Sequence, residues 1–406
     1  MPIAVAIGAD LGAIRNLGRH GVPVIAVSPK ARMASFFSRY CKGVVCPDPE
    51  ESEAEYIDFM SRLGEQMNDK GVIIPCGDED VLAVTRHRDE LSRYYEFPMS
   101  KFEIMEEVVN KREFYKKLEV LGFSHPKTYF PDGISDVERI SHEITYPQIV
   151  KPIAHTKFSR QFHVKLFEAN TPDELVEAYD KATSAGYEVV IQEVIPGSDR
   201  DLYALCSYSN SASEPVGVFA YRKIRGYPLD FGVSSLVESV FEPEIVELGV
   251  GLIQSIGYHG ISEIELKRDQ RDGKFKIIEM NARTSIEVVL GSRLGVDTIY
   301  MAYMDAIGED VKKVVSKTES IKWLYVCVDI MTCLAKARRG ELSFGEWIRS
   351  LRGKKVYADF AGDDPIPFIV YAFTFASPGL KILIGKVRSR IRREQRSRQV
   401  AGIQPA

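Results

Sequence analysis

The chain has 406 residues, of which 45% are hydrophobic and 27% are charged, so it can form two to four structural units with a substantial core. Its net charge of −4 gives no overall reason to expect nucleic-acid binding, and its six cysteines are scattered without zinc-site spacing. No apolar run reaches the roughly 18 residues that span a membrane. The opening MPIAVAIGADLG reads as a strand and not as a leader peptide, so we expect a cytoplasmic protein.

The first hundred residues alternate between apolar strands and helices. Residues 3–7 form an apolar run, a glycine turn and a helix pattern follow, and VPVIAVS forms the second run. Residues 71–76 repeat the strand and open another helix. This β-α-β order implies a parallel, doubly wound sheet, and we predict a Rossmann-like domain over residues 1–108. The spacing of Gly8 and Gly12 does not match the dinucleotide-binding fingerprint.

The middle of the chain mixes single helices with strands. A helix pattern ends at Gly122, one strand ends at Lys151, and VVIQEVIPG forms another strand after a capped helix. Strand, helix and strand at this spacing predict an α+β unit. We therefore predict two further lobes and a mixed C-terminal extension, over residues 109–190, 191–312 and 313–406.

The stretch KFKIIEMNARTS, residues 274–285, carries the most informative polar pattern. Its first half alternates like a strand, and Glu279, Asn281 and Arg283 then occupy every second position. Side chains two apart on a strand share a face. A carboxylate, an amide and a guanidinium therefore leave one surface of this strand together.

The dipeptide Asp-Gly at residues 272–273 lies between this stretch and an earlier alternating run, which is a strong hairpin signal. Folding the chain there predicts that Glu265 lies opposite Glu279 and that Glu263 lies opposite Asn281. Like charges that face each other across a strand pair destabilise it by roughly a few tenths of a kcal/mol or more. Mg²⁺ takes carboxylate and amide oxygens together with phosphate and water, so it would relieve this repulsion. A solvated polar face balanced by lysines fits the charge spacing equally well.

The order of motifs resembles the ATP-grasp superfamily, and this resemblance favours the metal interpretation. Glu265 at a strand end, followed by Glu279-x-Asn281-x-Arg283, is similar to the magnesium signature of those enzymes. The resemblance implies ATP and one or two Mg²⁺ ions as cofactors, with Mn²⁺ as a substitute. Glu265, Glu279 and Asn281 would be the metal ligands.

The resemblance also implies residues that bind the nucleotide phosphates. Lys111 and Lys151 match the two nucleotide lysines of the superfamily, the second of which ends a strand and reaches the α- and β-phosphates. The following segment HTKFSRQ lacks the glycines of the usual phosphate flap, which leaves open how this flap closes. A polar flap followed by a lysine, here Lys165, resembles a subset of D-aspartate ligase-like carboxylate–amine ligases.

The strand VVIQEVIPGSD is similar to the hinge that holds adenine in this superfamily. The resemblance implies that Gln192, Glu193 and the backbone of Ile195 bind the base. Asp199 falls where an acidic residue takes the ribose hydroxyls, and Asp201 remains an alternative.

The run YRKIRGYP, residues 221–228, resembles the same ligase subset. Its three cations suit the stabilisation of a triphosphate and an acylphosphate, although lysines on a solvated edge strand would also explain them. Lys223 and Arg225 would neutralise phosphate charge, and Arg283 would steady the acylphosphate or the carboxylate. The acidic run 78–80 would face the amine substrate, although helix capping by Asp78 is the stronger explanation.

The implied reaction joins a carboxylate to an amine through an acylphosphate, with an amino acid, aspartate among the candidates, as one substrate. A cell-wall precursor is a candidate for the other. The alternatives are an ATP-grasp carboxylase, a carboxylate–thiol ligase, or a nucleotide-binding regulator without turnover. An oligomer of identical chains is compatible with the sequence.

The C-terminal tail combines an apolar run with a basic run. Ile366–Ala376 is unbroken and aromatic-rich, and residues 381–398 carry eight Lys and Arg against Glu394 alone. This combination is typical of a peripheral membrane contact, although a packed strand followed by a solvated basic helix is slightly favoured. RNA binding is a weaker option because the basic run has no interleaved aromatic residues.

Overall fold

The computed structural model describes residues 1–153 and 156–374, and it begins with a five-stranded parallel sheet in the order β3-β2-β1-β4-β5. The strands are β1 (Ala4–Ile7), β2 (Val24–Ser28), β3 (Cys41–Val45), β4 (Gly71–Pro75) and β5 (Tyr95–Glu96). The helices of this region are α1 (Leu11–Arg19), α2 (Glu53–Glu65), α3 (Asp78–Arg86), α4 (Arg88–Leu91) and α5 (Phe102–Val109). The parallel, doubly wound sheet expected from the sequence is confirmed.

The strand order of this sheet reverses between β1 and β4, which opens a crevice at their carboxyl ends. The segments that follow β1 and β4 come close together at this point. A Cβ atom added at Gly8 would lie only 2.9 Å from the backbone nitrogen of Gly77. Gly8 also has a φ of +94°, which favours glycine. The helices that follow, α1 and α3, carry Asp10 at the cap and Asp78 in the first turn.

Helix α6 (Lys111–Leu121) connects this domain to the rest of the chain. The Asn110 side chain caps it by accepting hydrogen bonds from the backbone of Arg112 and Glu113. Gly122 ends it in the left-handed conformation with a φ of +74°, as the sequence pattern predicted.

A four-stranded antiparallel sheet follows, in the order β6-β9-β7-β8. Its strands are β6 (Thr128–Tyr129), β7 (Gln148–Pro152), β8 (Phe167–Ala169) and β9 (Val189–Glu193). Its helices are α7 (Ile134–Ser141), α8 (Thr156–Phe162) and α9 (Pro172–Ser184). Helices α7 and α9 pack together and enclose a separate apolar core with this sheet.

The largest sheet has eight strands in the order β14-β13-β10-β11-β12-β16-β17, with β15 paired to β11. The strands are β10 (Leu202–Ser209), β11 (Pro215–Tyr227), β12 (Val233–Val240), β13 (Gly260–Arg268), β14 (Phe275–Asn281), β15 (Val314–Val315), β16 (Lys322–Leu324) and β17 (Lys355–Tyr357). The accompanying helices are α10 (Pro243–Ser255), α11 (Val288–Arg293), α12 (Thr298–Ala306), α13 (Val326–Arg338) and α14 (Phe344–Ser350). One apolar core runs from the first sheet through α5 and α6 to this sheet, so the two regions share their packing.

The C-terminal extension is attached to the first domain by buried charges. The guanidinium of Arg15 lies 2.9 Å from the carboxylate of Asp364, and both side chains are 2% exposed. Arg19 pairs with the neighbouring Asp363 at 2.8 Å. Residues 366–374 then form a helix, which corrects the packed strand considered for this apolar run. The basic run over residues 381–398 lies outside the described residues.

Among the described residues, none of the helices combines the length and the apolar character that crossing a bilayer requires.

Candidate active site

The central feature of the site is the β13–β14 hairpin, whose register agrees with the sequence prediction. Glu265 lies directly opposite Glu279, and Glu263 lies opposite Asn281. The ladder shifts after Glu265, which pairs with Glu279, because Leu266 pairs with Ile277; β14 therefore bulges at Ile278, immediately beside the facing carboxylates. The hairpin thereby brings three carboxylates and an amide to one end of the largest sheet.

Burial and the neighbouring carboxylates both favour the protonated form of Glu265. Burial, together with the nearby charges of Glu263 and Glu279, raises the pKa of Glu265 to about 7. Lys223 and Lys165 oppose the shift without cancelling it. The protein's own cations therefore leave room for additional positive charge beside Glu265 and Glu279.

These residues line a cavity of about 360 Å³ between the four-stranded and the eight-stranded sheet. Eleven of the thirteen site residues proposed from the sequence line it: Lys111, Lys151, Lys165, Gln192, Glu193, Ile195, Lys223, Glu265, Glu279, Asn281 and Arg283. The structure thus gathers side chains from β7, β9, β11, β13 and β14 and the start of α6 around one space.

Three lysines approach the carboxylates from different elements. Lys111, at the first position of α6, places its Nζ 3.6 Å from Oε1 of Glu279. Burial alone would lower the pKa of Lys151, but Tyr115 and Glu279 hold it above its usual value. Burial lowers the pKa of Lys165 although two carboxylates counteract it. These cations converge where the phosphates of a nucleotide would meet the hairpin.

The strand β9 forms the opposite wall, where the sequence predicted adenine recognition. The Gln192 amide donates to the Thr128 hydroxyl at 2.8 Å. The Glu193 carboxylate accepts from the backbone nitrogen of Lys127 at 2.9 Å and pairs with Arg271 and Lys276 at 3.1 Å each. The Glu193 side chain therefore joins three segments of the wall, while Ile195 adds apolar surface to the cavity.

Asp199 does not line the cavity, but it lies beside it. Its Oδ1 atom is 3.4 Å from Nζ of Lys223, which also donates to the Gly232 carbonyl at 2.7 Å. Asp201, the alternative, accepts from the backbone nitrogen of Ser198 at 2.7 Å and so completes a capping box. A local structural role therefore accounts for Asp201, and Asp199 remains the proposed ribose ligand.

The structure corrects the prediction that Arg225 binds phosphate. Its guanidinium is 3% exposed and forms a double hydrogen bond with the buried Asp329 carboxylate on α13, at 2.7 and 2.8 Å. A further bond of 2.8 Å reaches the hydroxyl of Ser350, the last residue of α14. Arg225 therefore attaches the C-terminal extension to β11 instead of facing the cavity.

Arg283 connects the hairpin with the first domain. Its Nε lies 2.9 Å from Oδ1 of Asp78, and its Nη2 donates to Oδ1 of Asn281 at 3.2 Å. Burial opposes the charge, but Asp78 and Glu263 hold the pKa of Arg283 above its usual value.

Gly77, not Asp78, is the cap residue of α3, so the capping role expected for Asp78 is wrong. Asp80 is 8% exposed and accepts from the Tyr56 hydroxyl at 3.0 Å, so it does not face the cavity.

Sequence reasoning missed two buried carboxylates in the floor of the cavity as site residues. Glu263 accepts from the Tyr221 hydroxyl at 2.6 Å and from the Asn281 amide at 3.0 Å. Burial raises the pKa of Glu287 well above its usual range, and the charge of Glu263 adds to the effect. The signal was present, because the every-second-residue pattern of the hairpin continues past Arg283 as far as Glu287.

The flap segment is a helix and not a glycine-rich loop. Helix α8 follows residues 154–155, which lie outside the described residues, and its polar side chains reach the first domain. Lys157 donates to the Glu50 carbonyl at 3.0 Å, and Arg160 approaches Asp48 and Glu50 at 3.5 and 3.6 Å. The flap therefore bridges the small lobe and the loop after β3.

The donor set fits a magnesium ion that is shared with a nucleotide. Within residues 1–153 and 156–374, no three His, Cys, Asp or Glu side chains are arranged to hold a metal alone. Mg²⁺ commonly takes only one or two protein carboxylates and completes its shell with phosphate and water. Glu265 and Glu279 supply two carboxylates and Asn281 supplies an amide, and burial followed by the charges of Glu263 and Glu279 raises the pKa of Glu265.

Comparisons with known proteins agree with this geometry. A family model described as the ATP-binding domain of the carbamoyl-phosphate synthase L chain matches residues 234–314. The D-aspartate ligase of Enterococcus faecium is 26% identical over 247 residues, which cover 57% of this chain and 59% of that protein. The chain thus spans well under two thirds of that curated relative.

Two solved structures show the same fold at low identity. The L-amino acid ligase of Bacillus licheniformis has a TM-score of 0.58 and 17% identity, covering 76% of this chain and 74% of that one. The biotin carboxylase domain of the Hydrogenobacter thermophilus 2-oxoglutarate carboxylase, in complex with MgADP, ADP and bicarbonate, has a TM-score of 0.59 and 16% identity. It covers 78% of this chain and 72% of that one.

The chain has the ATP-grasp fold, as its motif order predicted.

Proposed function

We propose that this chain is an ATP-dependent carboxylate–amine ligase that forms an amide through an acylphosphate. The observation that carries the proposal is the pair of facing carboxylates, Glu265 and Glu279, in one cavity with Lys111 and Lys151. Two carboxylates beside Lys111 and the buried Lys151 suit a magnesium-bound triphosphate. The ligases among the similar proteins support the choice of reaction.

The residues of the cavity divide into three groups by their chemistry. Lys111, Lys151 and Lys165 would neutralise phosphate oxygens, and Glu265, Glu279 and Asn281 would hold one or two Mg²⁺ ions, with Mn²⁺ as a substitute. Bound Mg²⁺ would supply positive charge to the phosphates. The β9 wall, from Gln192 to Ile195, would bind adenine, and Asp199 would take the ribose.

The reaction itself needs positioning more than covalent help from the protein. A carboxylate oxygen of the substrate attacks the γ-phosphorus, which forms an acylphosphate and releases ADP. The amine then attacks the acyl carbon, the carbon–oxygen bond breaks, and phosphate leaves as the amine loses a proton. Lys223 would stabilise the negative charge that develops on phosphate, and Arg283 would hold the carboxylate or the acylphosphate.

The substrate is proposed to be an amino acid, with aspartate as the first candidate because of the D-aspartate ligase similarity. A peptide of a cell-wall precursor is a candidate for the other substrate, and a cytoplasmic location follows from the need for ATP. The principal alternative is carboxylation, which the likeness to a biotin carboxylase domain in complex with bicarbonate supports. A carboxylate–thiol ligase and a nucleotide-binding regulator complete the alternatives.

The test measures ADP release by the full chain with Mg-ATP, hydroxylamine as a surrogate amine, and one carboxylate at a time, including D- and L-aspartate. We expect ADP release and hydroxamate formation in equal amounts on one acid or a small group of acids. Bicarbonate-dependent ADP release without hydroxamate would support the carboxylase, and coenzyme A dependence would support the thiol ligase. ATP binding without turnover on a panel that includes amino acids and their peptides would contradict the proposal.

A further inference from the structure

The C-terminal extension exposes an unusual amount of apolar surface. Eighteen large hydrophobic side chains are exposed among the 372 described residues. Nine of them lie in the 44-residue segment from 330 to 373. These nine are Ile330, Leu334, Phe344, Ile348, Tyr357, Phe360, Ile366, Ile369 and Phe373, and we call them the apolar surface of the extension. Single exposed hydrophobic residues are ordinary, but such a concentration indicates a surface that binds something.

The spacing of these residues gives three helices an apolar outer face. Residues three or four apart on a helix lie on the same side. This spacing relates Ile330 to Leu334 on α13, Phe344 to Ile348 on α14, and Ile366 to Ile369 and Phe373 on the helix over residues 366–374. Each helix therefore presents an apolar stripe to solvent.

Each of these helices is held by contacts on its other side. The Trp347 indole on α14 donates to the buried Asp329 carboxylate on α13 at 2.8 Å. The Tyr371 ring lies 6.3 Å from the Tyr325 ring at the start of α13. The Asp364 carboxylate before the last helix is buried against Arg15. The apolar surface is thus a fixed feature of the fold.

Positive charge accompanies this surface. Of the six acidic residues between positions 329 and 364, Asp329, Asp359 and Asp364 are buried, and Glu341, Glu346 and Asp363 are exposed. Seven basic residues lie in the same region: Lys336, Arg338, Arg339, Arg349, Arg352, Lys354 and Lys355. The next 32 residues, 375–406, follow directly after the last described helix and contain eight Lys and Arg against Glu394 alone.

We propose that the apolar surface of the extension binds the interface of an anionic lipid bilayer, with the active-site cavity remaining in water. Exposed apolar stripes on short helices next to clustered Lys and Arg are the features of interfacial membrane binding. Each basic residue near an anionic surface contributes about 1 kcal/mol, so the charged sequence after residue 374 would strengthen the contact. Docking of a second copy would bring two strongly basic segments together, which like-charge repulsion disfavours.

The experiment is co-sedimentation of the full chain with vesicles, either of phosphatidylcholine alone or of phosphatidylcholine and phosphatidylglycerol in equal parts. We expect binding to the anionic vesicles that weakens as salt is raised. The triple variant Ile366→Ser, Ile369→Ser and Phe373→Ser should reduce the bound fraction at least about tenfold, because each side chain loses apolar burial. Val120→Ser is the matched control, since Val120 is 82% exposed on α6, and it should bind like the parent.

Two further measurements separate this proposal from its rivals. Nucleotide affinity without vesicles should be unchanged in the triple variant, so loss of lipid binding and loss of the proposed ligase activity are distinguishable. A parent chain that stays in solution with anionic vesicles would overturn the proposal. Equal vesicle binding by the parent and the triple variant would also overturn the proposal. If the parent were a dimer and the triple variant a monomer, with unchanged vesicle binding, the apolar surface would be a contact between two copies of the chain. The circular dichroism melting curve confirms that each variant is folded.

Discussion

The guanidinium of Arg283 and the carboxylate of Asp78 form an ion pair of 2.9 Å that joins the end of β14 to the crevice of the first domain. Arg283 follows two residues after Asn281 and belongs to the same polar face, whereas Asp78 opens α3 after β4. The pair therefore connects the proposed phosphate chemistry with the place where a parallel sheet commonly binds a ligand. We expect Asp78 to orient Arg283 toward the carboxylate substrate.

This relationship predicts the effect of Asp78→Asn. The variant should raise KM for the carboxylate and lower kcat/KM about tenfold, because the loss of one charge-assisted bond costs about 1.4 kcal/mol. ATP affinity should stay within about twofold. Steady-state ADP release measures both effects, with Asp58→Asn in an exposed pair as the control. An unchanged KM for the acid would contradict the orienting role.

Glu279→Gln tests the metal ligands. Replacing one carboxylate by an amide removes a charge that the proposed Mg²⁺ site requires, so kcat should fall at least about 100-fold. The affinity for Mg-ATP, measured by calorimetry, should fall as well, while the melting temperature should change little, since the substitution relieves repulsion with Glu265 but weakens the pair with Lys111. Glu244→Gln, on the exposed face of α10, is the matched control. Wild-type turnover in Glu279→Gln would rule out the metal assignment.

The buried Arg225–Asp329 pair predicts a change in stability and not in nucleotide binding. Asp329→Ala leaves the guanidinium buried without its counter-charge, which typically costs about 3–5 kcal/mol in the free energy of unfolding. Denaturant unfolding measures this loss. Glu96→Ala, which breaks the exposed pair with Lys70, should cost less than about 1 kcal/mol. If the folded Asp329→Ala variant lost its affinity for ATP, the result would support the earlier prediction that Arg225 binds phosphate.

Asp80 predicts a pH-dependent stability. Burial raises its pKa from the ordinary 3.8 to about 6, so the folded state holds a proton that the unfolded state releases at lower pH. The contribution of Asp80 to the free energy of unfolding is therefore lost as the pH rises from about 4 to about 6. Above about pH 6 the destabilisation by the buried, ionised carboxylate stays constant. Asp80→Asn keeps an acceptor for Tyr56 and should be more stable than the parent by about 2 kcal/mol at pH 8.

Melting curves of the parent and Asp80→Asn at a series of pH values measure this difference. The gain should vanish near pH 4, and Asp89→Asn, at an exposed position, should show none. A gain that does not depend on pH would point to packing and not to ionisation.

The hairpin of the site was predictable because its determinants are local. The Asp-Gly turn at 272–273 indicates the hairpin and the alternation of polar residues indicates the face, while the opposition of Glu265 and Glu279 also depends on a one-residue bulge in β14. The end of α6 at Gly122 was predictable for the same reason. These signals lie within a few residues of the features that they specify.

Arg225 was misjudged because its partner is distant. Asp329 lies 104 residues further along the chain and reaches Arg225 only after α13 packs on β11. A run of three cations carries no information on which of them a later helix will bury. The conformation of the flap was left open for a related reason, since Lys157 and Arg160 of α8 contact the loop at residues 48–50 across more than 100 residues.

The most direct test of the account follows oxygen atoms through the reaction. The acid that forms a hydroxamate is labelled with ¹⁸O in its carboxylate, and the phosphate released with its amine partner or with hydroxylamine is analysed by mass spectrometry. An acylphosphate requires that one carboxylate oxygen leave with the phosphate, so the account predicts one ¹⁸O atom in each phosphate formed. Phosphate that contains no ¹⁸O, released at the same rate as the product, would contradict it.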